Sequence, residues 1–429
     1  MRKKPTLEPL VLFGFGAMAL VVASLPAAAQ TEVKVGFNYP KSGPYANEGL
    51  DELSGAELAE VEINKEGGIL GNKIKLIPRD LESKRDGSKS REDAVRENAT
   101  DLIKDGAKMI FGGISSEVDI TVGEAAHKNN VIFFSTMGAS MDITGKDGYI
   151  TTFRECSDAY MAARMLGTYL LREQSEGKYF YILVDYNWGW TTEAVVRAKS
   201  DTLDVKVHER ATIPLKATGA DIKAKLEQAK RAHPDVLVLI LFGEQFVKAI
   251  RIADELGLNK SHKVQIVAPS LTTTMAEQAG ASLMEGVIGV TFWDWSVPDH
   301  TGSAEGKVFV QRFVKKYNRY PSSPAASAYT ILRQYKAAVE RAKTFETNRV
   351  IRELEGWKYS LLRGEQQWRT FDHQSIQSVY LIEGRPKNEV DSKGSYFTVK
   401  GQAGVGEVGI PELKWIGDRL YNGKSPRLD

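Results

Sequence analysis

From Val33 onward, short apolar runs alternate with stretches whose apolar residues recur at helical spacing. "VKVGFNY" (33–39) has the continuous apolar character of a buried strand, and "PKSGP" turns the chain after it. Residues 48–65 place Leu53, Ala56, Ala59 and Ile63 on one helical face, and Gly67-Gly68 ends that helix. The alternation continues with "KIKLIPRD", a helix over 87–105, "AKMIFG", a helix from about 116 to 129, and "VIFFS". Near "GYITTFRECSDAY" (148–160) the unit restarts. Helices are predicted over 158–174, 191–203, 218–232 and 244–256, and strands at 179–185, "VKVHERA", 235–242, 263–269 and 286–292. After Trp295 the pattern turns helical (about 304–317, 325–343 and 347–356), then returns to short strands in "SVYLIEG" (378–384). The stretch from Pro386 is polar and Gly-rich, and is expected to be a loosely held tail.

Strands alternating with amphipathic helices predict mainly parallel sheets covered on both faces. The restart predicts an α/β fold of two lobes of similar layout. The first takes residues 30–153 and about 292–345, the second 154–291 and about 346–385, with 386–429 as the tail. No low-complexity linker separates them, so several chain crossings are expected to join the lobes.

The first 29 residues stand apart. Arg2, Lys3 and Lys4 precede the apolar run "LVLFGFGAMALVVASL", and "PAAAQ" closes it, which is the pattern of a secretory signal cut after Ala29. The run is shorter than the roughly 20 apolar residues that span a bilayer. Cleavage would remove Glu8 with the three basic residues and bring the formal charge from +2 to zero. A balanced surface argues against nucleic acid or an anionic membrane as partner. A lone cysteine, Cys156, can form no internal disulfide, so the fold must rest on its core.

Chemistry is sought first in "GGISSEVDITVGEAAHKNN" (112–130), where Ser115 and Ser116 stand between a strand and a helix. The Gly-x-Ser-x-Gly elbow is absent. His127 lies 11 positions beyond Ser116, about 16 Å along one helix, whereas a base must sit within about 3 Å of its nucleophile. The six histidines (His127, His208, His233, His262, His300 and His373) include no pair at ligand spacing, so no metal is expected. Gly112-Gly113 lacks the dinucleotide and Walker patterns, so no nucleotide cofactor is expected either. What remains is binding. Free N–H groups at a helix N-terminus, with two hydroxyls beside them, suit a carboxylate or amide. "STMGAS" (135–140) follows the next strand and lets the backbone approach a ligand. The plainer alternative is that Ser116 only caps its helix. In the second lobe, "DYNWGW" (185–190) supplies Tyr186, Trp188 and Trp190, and Phe242 ends another strand. Such rings suit the walls of an apolar or planar ligand site. Trp293 and Trp295 in "FWDWSVP" are either part of that wall or packing between lobes.

"SGPYANEGLDELSGAELAEVEINKEGGILGNKIKLIPRD" (42–80) resembles the opening of the leucine/isoleucine/valine-binding type of periplasmic solute-binding protein, which serves ABC importers. The resemblance continues through "MIFGGISS", "DITG", "DYNWGWTTEA" and "PSSPAASAYTILRQYKAAVERA", and covers most of residues 33–385. It implies the type 1 periplasmic binding protein fold: two Rossmann-like lobes joined by three hinge crossings, with a ligand closed between them. Carried over residue by residue, Ser115 and Ser116 fall where the family holds a carboxylate, and Met137, Gly138 and Ala139 where backbone groups complete the grip. Ala139 replaces the usual hydroxyl residue, and Ser140 comes one place late. Trp188 and Phe242 match aromatic pocket positions, while Glu48 stands where an aromatic is usual. Ser270 stands where amino-acid binders carry the acid that pairs the ligand's ammonium. An α-amino acid would therefore need Glu48, Asp185, Glu244 or Asp294 as counter-ion, because an unpaired buried ammonium costs several kcal/mol.

The resemblance implies an exported, monomeric binding protein without catalytic activity. It would hold an amino acid, an amide or an aromatic carboxylate for an inner-membrane ABC permease. A module feeding a receptor kinase, and a serine hydrolase, are the alternatives.

Overall fold

The computed structural model describes residue 1 and residues 32–81, 83–84, 88–259 and 264–429. The expected signal segment and His262 lie outside the described residues. The first lobe is built from β1 (Glu32–Tyr39), α1 (Ala46–Lys65), β2 (Lys73–Asp80), α2 (Arg91–Lys104), β3 (Met109–Gly112), α3 (Ser116–Lys128), β4 (Ile132–Ser135) and β5 (Thr152–Arg154). The second continues with α4 (Ala159–Glu173), β6 (Tyr179–Val184), α5 (Asn187–Ser200), β7 (Glu209–Ile213), α6 (Gly219–Ala232), β8 (Val236–Ile240), α7 (Glu244–Glu255), β9 (Gln265–Ala268), α8 (Thr273–Ala279), α9 (Ala281–Met284) and β10 (Ile288–Thr291). Helices α10 (Val297–Thr301), α11 (Ala304–Tyr317), α12 (Ser323–Ala342) and α13 (Thr347–Leu354) come next. A small antiparallel sheet of β11 (Lys358–Tyr359), β12 (Gln366–Trp368) and β13 (Ser375–Ile376) precedes β14 (Val379–Gly384), β15 (Phe397–Ala403), α14 (Val405–Val408) and α15 (Glu412–Tyr421).

The first sheet runs β2-β1-β3-β4-β5, all parallel. The second runs β7-β6-β8-β9-β10, all parallel, and β14 and β15 extend it antiparallel. The two parallel portions share one strand order, so the expected similarity of layout holds. Strands β6 and β8 are buried along their whole length, as a sheet covered on both faces requires. In each lobe the order reverses beside its first strand, at β1/β3 and at β6/β8. Open α/β sheets bind ligands in the crevice that opens at such a reversal.

Three expectations need correction. Residues 346–377 pack on the first lobe, not the second: Trp368 meets Phe134 and Phe153 edge-on, His373 stacks on Phe153 at 4.0 Å, and Thr347 Oγ1 donates to Asn130 O. Only β14 joins the second sheet. The tail is not loose. β15 pairs with β14, Trp415 Nε1 donates to Thr144 O at 2.8 Å, and the buried Arg419 donates to carbonyls of Gly145, Ser425 and Arg427. Its polar, Gly-rich composition concealed a strand whose solvent-facing positions are polar and a helix anchored by one tryptophan. In consequence the chain passes between lobes a fourth time, through residues 404–411, beyond the three crossings expected.

Those first three crossings lie at residues 155–158, 292–296 and 377–378. Arg363 is bonded to all three. It donates to Glu155 Oε1 at 3.0 Å, to Phe292 O at 3.1 Å and to Gln377 Oε1. Gln377 Nε2 in turn donates to Glu155 O. Arg154 adds bonds to Gln374 Oε1, Ser140 O and Thr144 Oγ1, and faces Asp158 at 3.5 Å. Both arginines are fully buried, so each must be paired to be tolerated at all.

Candidate functional site

The segment after β3 answers the question raised by the paired serines. Ser115, not Ser116, is the N-cap of α3, and its side chain makes no capping bond. Ser116 is the first helical residue, and its Oγ accepts the Ser140 N–H at 3.1 Å. Its own hydroxyl proton remains free to donate. Asp119 holds this corner in shape. Its carboxylate accepts from Ser135 Oγ at 2.5 Å, and burial pushes it up to about 7. A Cβ on Gly113 or Gly138 would stand 1.8 Å or 2.0 Å from that carboxylate, so only glycine fits at either place.

Two adjoining cavities of about 20 Å³ each lie where the reversal points of the two sheets face each other. One is lined by Ile114, Ser116, Met137 and Ala139 of the first lobe, with Tyr186, Trp188, Phe242 and Ser270 of the second. The other shares Met137, Ala139, Trp188 and Ser270 and runs on to Cys156, Leu271 and Ser323. Twenty cubic ångströms is room for about one water, so a larger solute enters only when the lobes part. Larger grooves lie beside Arg91 and Glu117 and beneath Trp415, away from the meeting of the lobes. A third, of about 280 Å³, runs between Met141, Asp142 and Trp415 on one side and Tyr160, Thr191 and Val195 on the other, at the rim and not at the strand-order reversals.

The aromatic wall is continuous across the cleft. Ring centroids stand 6.3 Å apart for Tyr186–Trp188, 6.4 Å for Trp188–Phe242 and 5.8 Å for Phe242–Tyr45. Tyr45 belongs to the first lobe and was not anticipated, although its place just past β1 is a strand end of the kind that marked the other residues. Burial pushes its phenol up to about 12, and its hydroxyl neighbours that of Tyr186. The lobes also touch through Glu244 N–H to Pro44 O at 2.9 Å and Asn187 Nδ2 to Asp142 Oδ2 at 2.8 Å.

Of the residues proposed from sequence, Ser116, Met137, Ala139, Trp188, Phe242 and Ser270 meet around one cleft. Ser115 sits behind it, its Oγ 3.5 Å from Arg91 Nη1. Gly138 and Ser140 also stand behind, Gly138 packed against the Asp119 carboxylate and the Ser140 N–H committed to Ser116. Trp190 is half exposed and donates to Asp185. Trp293 is core, bonded to Leu362 O and packed on Phe309, and Trp295 stacks on Tyr320.

Among the four possible counter-ions, Asp185 is exposed, Glu244 pairs with Lys248, and Asp294 accepts from Ser296 and Thr273. Glu48 differs. It is fully buried, neither carboxylate oxygen has a hydrogen-bond partner, and burial pushes it up to about 8. A Cβ on Gly243, across the cleft, would lie 3.4 Å from its Oε2.

Two parallel-sheet lobes, crossed repeatedly by the chain and facing each other at their strand-order reversals, define a type 1 periplasmic binding protein fold. A family model described as "Periplasmic binding protein" matches residues 32–389, and the chain belongs to that family. It is 24% identical over 331 residues to the Leu/Ile/Val-binding protein BraC3 of Rhizobium johnstonii, covering 76% of this chain and 85% of that protein. The amino acid ABC transporter substrate-binding protein of Pseudomonas fluorescens Pf-5 superposes with a TM-score of 0.76 at 22% identity, over 89% of this chain and 97% of that one. A solute binding protein of an ABC transporter from Rhodopseudomonas palustris BisB5, in complex with 3,4-dihydroxy benzoic acid, gives 0.73 at 19% identity, over 87% and 97%. The family and these relatives are solute-binding proteins. Among the described residues no helix is long and apolar enough to cross a membrane.

Proposed function

We propose that this chain is the extracytoplasmic solute-binding component of an ABC importer, exported by a signal cleaved after Ala29 and acting as a monomer without catalysis. The observation that carries the reading is the convergence of Ser116, Met137 and Ala139 with Tyr186, Trp188, Phe242 and Ser270 from opposite lobes. A ligand enclosed by both halves favours the closed arrangement over the open one, and only such differential affinity drives closure. A permease then distinguishes loaded from empty by shape. In this reading the Ser116 hydroxyl donates to a ligand oxygen and the rings hold an apolar or planar body. Ser270 offers no charge to an ammonium, so a branched-chain amino acid would need its counter-ion from elsewhere in the cleft.

The test is a thermal-shift screen of amino acids, amides and aromatic acids, followed by small-angle scattering with each hit. A binder that also contracts the protein is the expected result. If no solute of the panel shifts the melting temperature or the radius of gyration, the reading fails. With a binder in hand, Ser116→Ala should weaken it by about 1–3 kcal/mol, as for a lost charge-assisted hydrogen bond. Unchanged affinity by calorimetry would leave the serine a purely structural role.

A further inference from the structure

Four acids of α1 are buried, and three have partners, Glu62 accepting from Tyr329 Oη and facing Arg312 at 3.0 Å. Asp51 accepts from Arg319 and from the Ser322 and Ala325 N–H groups. Glu52 is bonded to Thr136 Oγ1. Glu48 has both oxygens unmatched in a site with no exposure, pressed against the loop that follows β8 in the other lobe. Buried carboxylates are tolerated when paired or neutral. Among the described residues no cation lies within salt-bridge distance of this one. The rings of Tyr45, Phe242, Trp188 and Tyr186 follow one another beside it. The rings stand tilted or edge-on to one another, and Glu48 and Tyr45 adjoin the small cavities without lining them. An aromatic cluster ending at a carboxylate is the chemistry that receives an organic cation, since rings and carboxylate both attract positive charge.

Resting on the binding-protein reading above, we infer that the solute carries a positive charge, as an alkylammonium or amidinium. Glu48 of the first lobe is its counter-ion, and Tyr45, Tyr186, Trp188 and Phe242 wrap its body. The charge lost from the second lobe, where Ser270 stands, is supplied from the opposite side of the cleft. The cation also makes closure selective. A solute without one leaves Glu48 to be buried alone, so the closed arrangement must first take up a proton.

The facing groups do not change this sign. Asp51 and Glu52 are on the same helix and committed as described. Arg91 and Glu117 face each other at 3.8 Å, and neither is among the groups that shift Glu48. Glu244, on the opposing loop, pairs with Lys248.

Benzylammonium, benzyl alcohol and benzoate present one ring with three charges, and tetramethylammonium presents charge without a ring. Calorimetry at pH 7 should show benzylammonium binding at least thirtyfold more tightly than benzyl alcohol, with tetramethylammonium also binding. Glu48→Gln should abolish that preference, weakening benzylammonium and tightening benzyl alcohol at least tenfold, because closure on the alcohol no longer requires a buried carboxyl to take up a proton. In buffers of different ionisation enthalpy, benzylammonium should bind without net proton uptake. Three results overturn the inference: benzoate or benzyl alcohol binding as tightly as the amine, Glu48→Gln leaving the amine's affinity unchanged, or no heat from either cation at millimolar concentration. If the cations are refused while a screened aromatic acid binds and contracts the protein, the transport reading stands and only the role of Glu48 falls.

Discussion

Two buried glutamates, Glu155 in the hinge and Glu48 in the cleft, sit in opposite electrostatic circumstances. Glu155 receives Arg363 at 3.0 Å and Gln366 Nε2 at 3.4 Å on one carboxylate oxygen. Glu48 receives nothing. The hinge must keep its partners in every arrangement of the lobes, so its charges are matched within the protein. The cleft has no such need. There the missing partner makes the site respond to what enters it, because a carboxylate stripped of water binds a cation far more strongly than a hydrated one does. Glu155 Oε2 and Arg363 Nε lack partners of their own, but the two charges are paired. A charge left unpaired in the hinge would weaken the fold, whereas the same defect in the cleft sets a preference for the solute.

The comparison is broken most forcefully at the hinge. Arg363→Ala removes the group bonded to all three of the first crossings and strands Glu155 without its cation. Breaking a buried pair in this way costs about 3–5 kcal/mol, which chemical denaturation should register as a lowered midpoint. A variant within 1 kcal/mol of the parent would show that the crossings are held by packing and that the contrast with Glu48 is mistaken.

Glu48→Gln should act in the other direction. With the carboxyl pushed from 4.5 to about 8 in the closed arrangement, closing at pH 7 without a cation means keeping it protonated. That costs about 3 kcal/mol. The sign follows from the raised value. Closure is unhindered below about pH 4.5, is increasingly disfavoured as pH rises toward 8, and loses nothing more above that. The amide removes the dependence. In the absence of solute, the parent should therefore expand between pH 5 and 8 by small-angle scattering, and Glu48→Gln should stay compact throughout. Parallel profiles for the two proteins would show that Glu48 keeps its solvent when the lobes meet.

Much of this arrangement was legible in the residues. The alternation of apolar runs and helical stretches gives both lobes, and residues picked because they follow strand ends (Ser116, Trp188, Phe242) do meet, with Ser270, singled out by the family resemblance, beside them. Tyr45 follows the same logic, but the turn "PKSGP" separates it from β1 and hides that it stands at a strand end. Glu48 stood out as a departure from an aromatic and as one of four possible counter-ions, with nothing to rank it above the others. An acid in the first turn of a helix ordinarily faces water and favours the helix dipole, and nothing local reveals that a loop some 195 positions away covers it. The hinge was out of reach for the same reason. Arg154 finds Gln374, and Arg363 finds Glu155, across separations of 220 and 208 residues. Such partners share no periodicity. The tail was misjudged from composition, since one tryptophan and one buried arginine, not an apolar stripe, dock its helix.

The smallest expected effect sharpens the comparison from the rim of the cleft. Asn187 Nδ2 donates to Asp142 Oδ2 at 2.8 Å, joining α5 of the second lobe to the turn after β4 of the first. This bond can exist only while the lobes are together, so it stabilises closure and contributes nothing to either lobe alone. Asp142 keeps Lys146 at 3.3 Å when the asparagine is removed, so no orphaned charge remains. Asn187→Ala should therefore forfeit only the net value of one hydrogen bond, about 0.5–1.5 kcal/mol. By stopped flow that is a roughly twofold to tenfold faster release of a bound solute, with the association rate and the melting temperature of the solute-free protein unchanged. A lowered melting temperature with unaltered release would place the bond among the structural contacts of the hinge, and the distinction between a matched hinge and a responsive cleft would have to be redrawn along a different boundary.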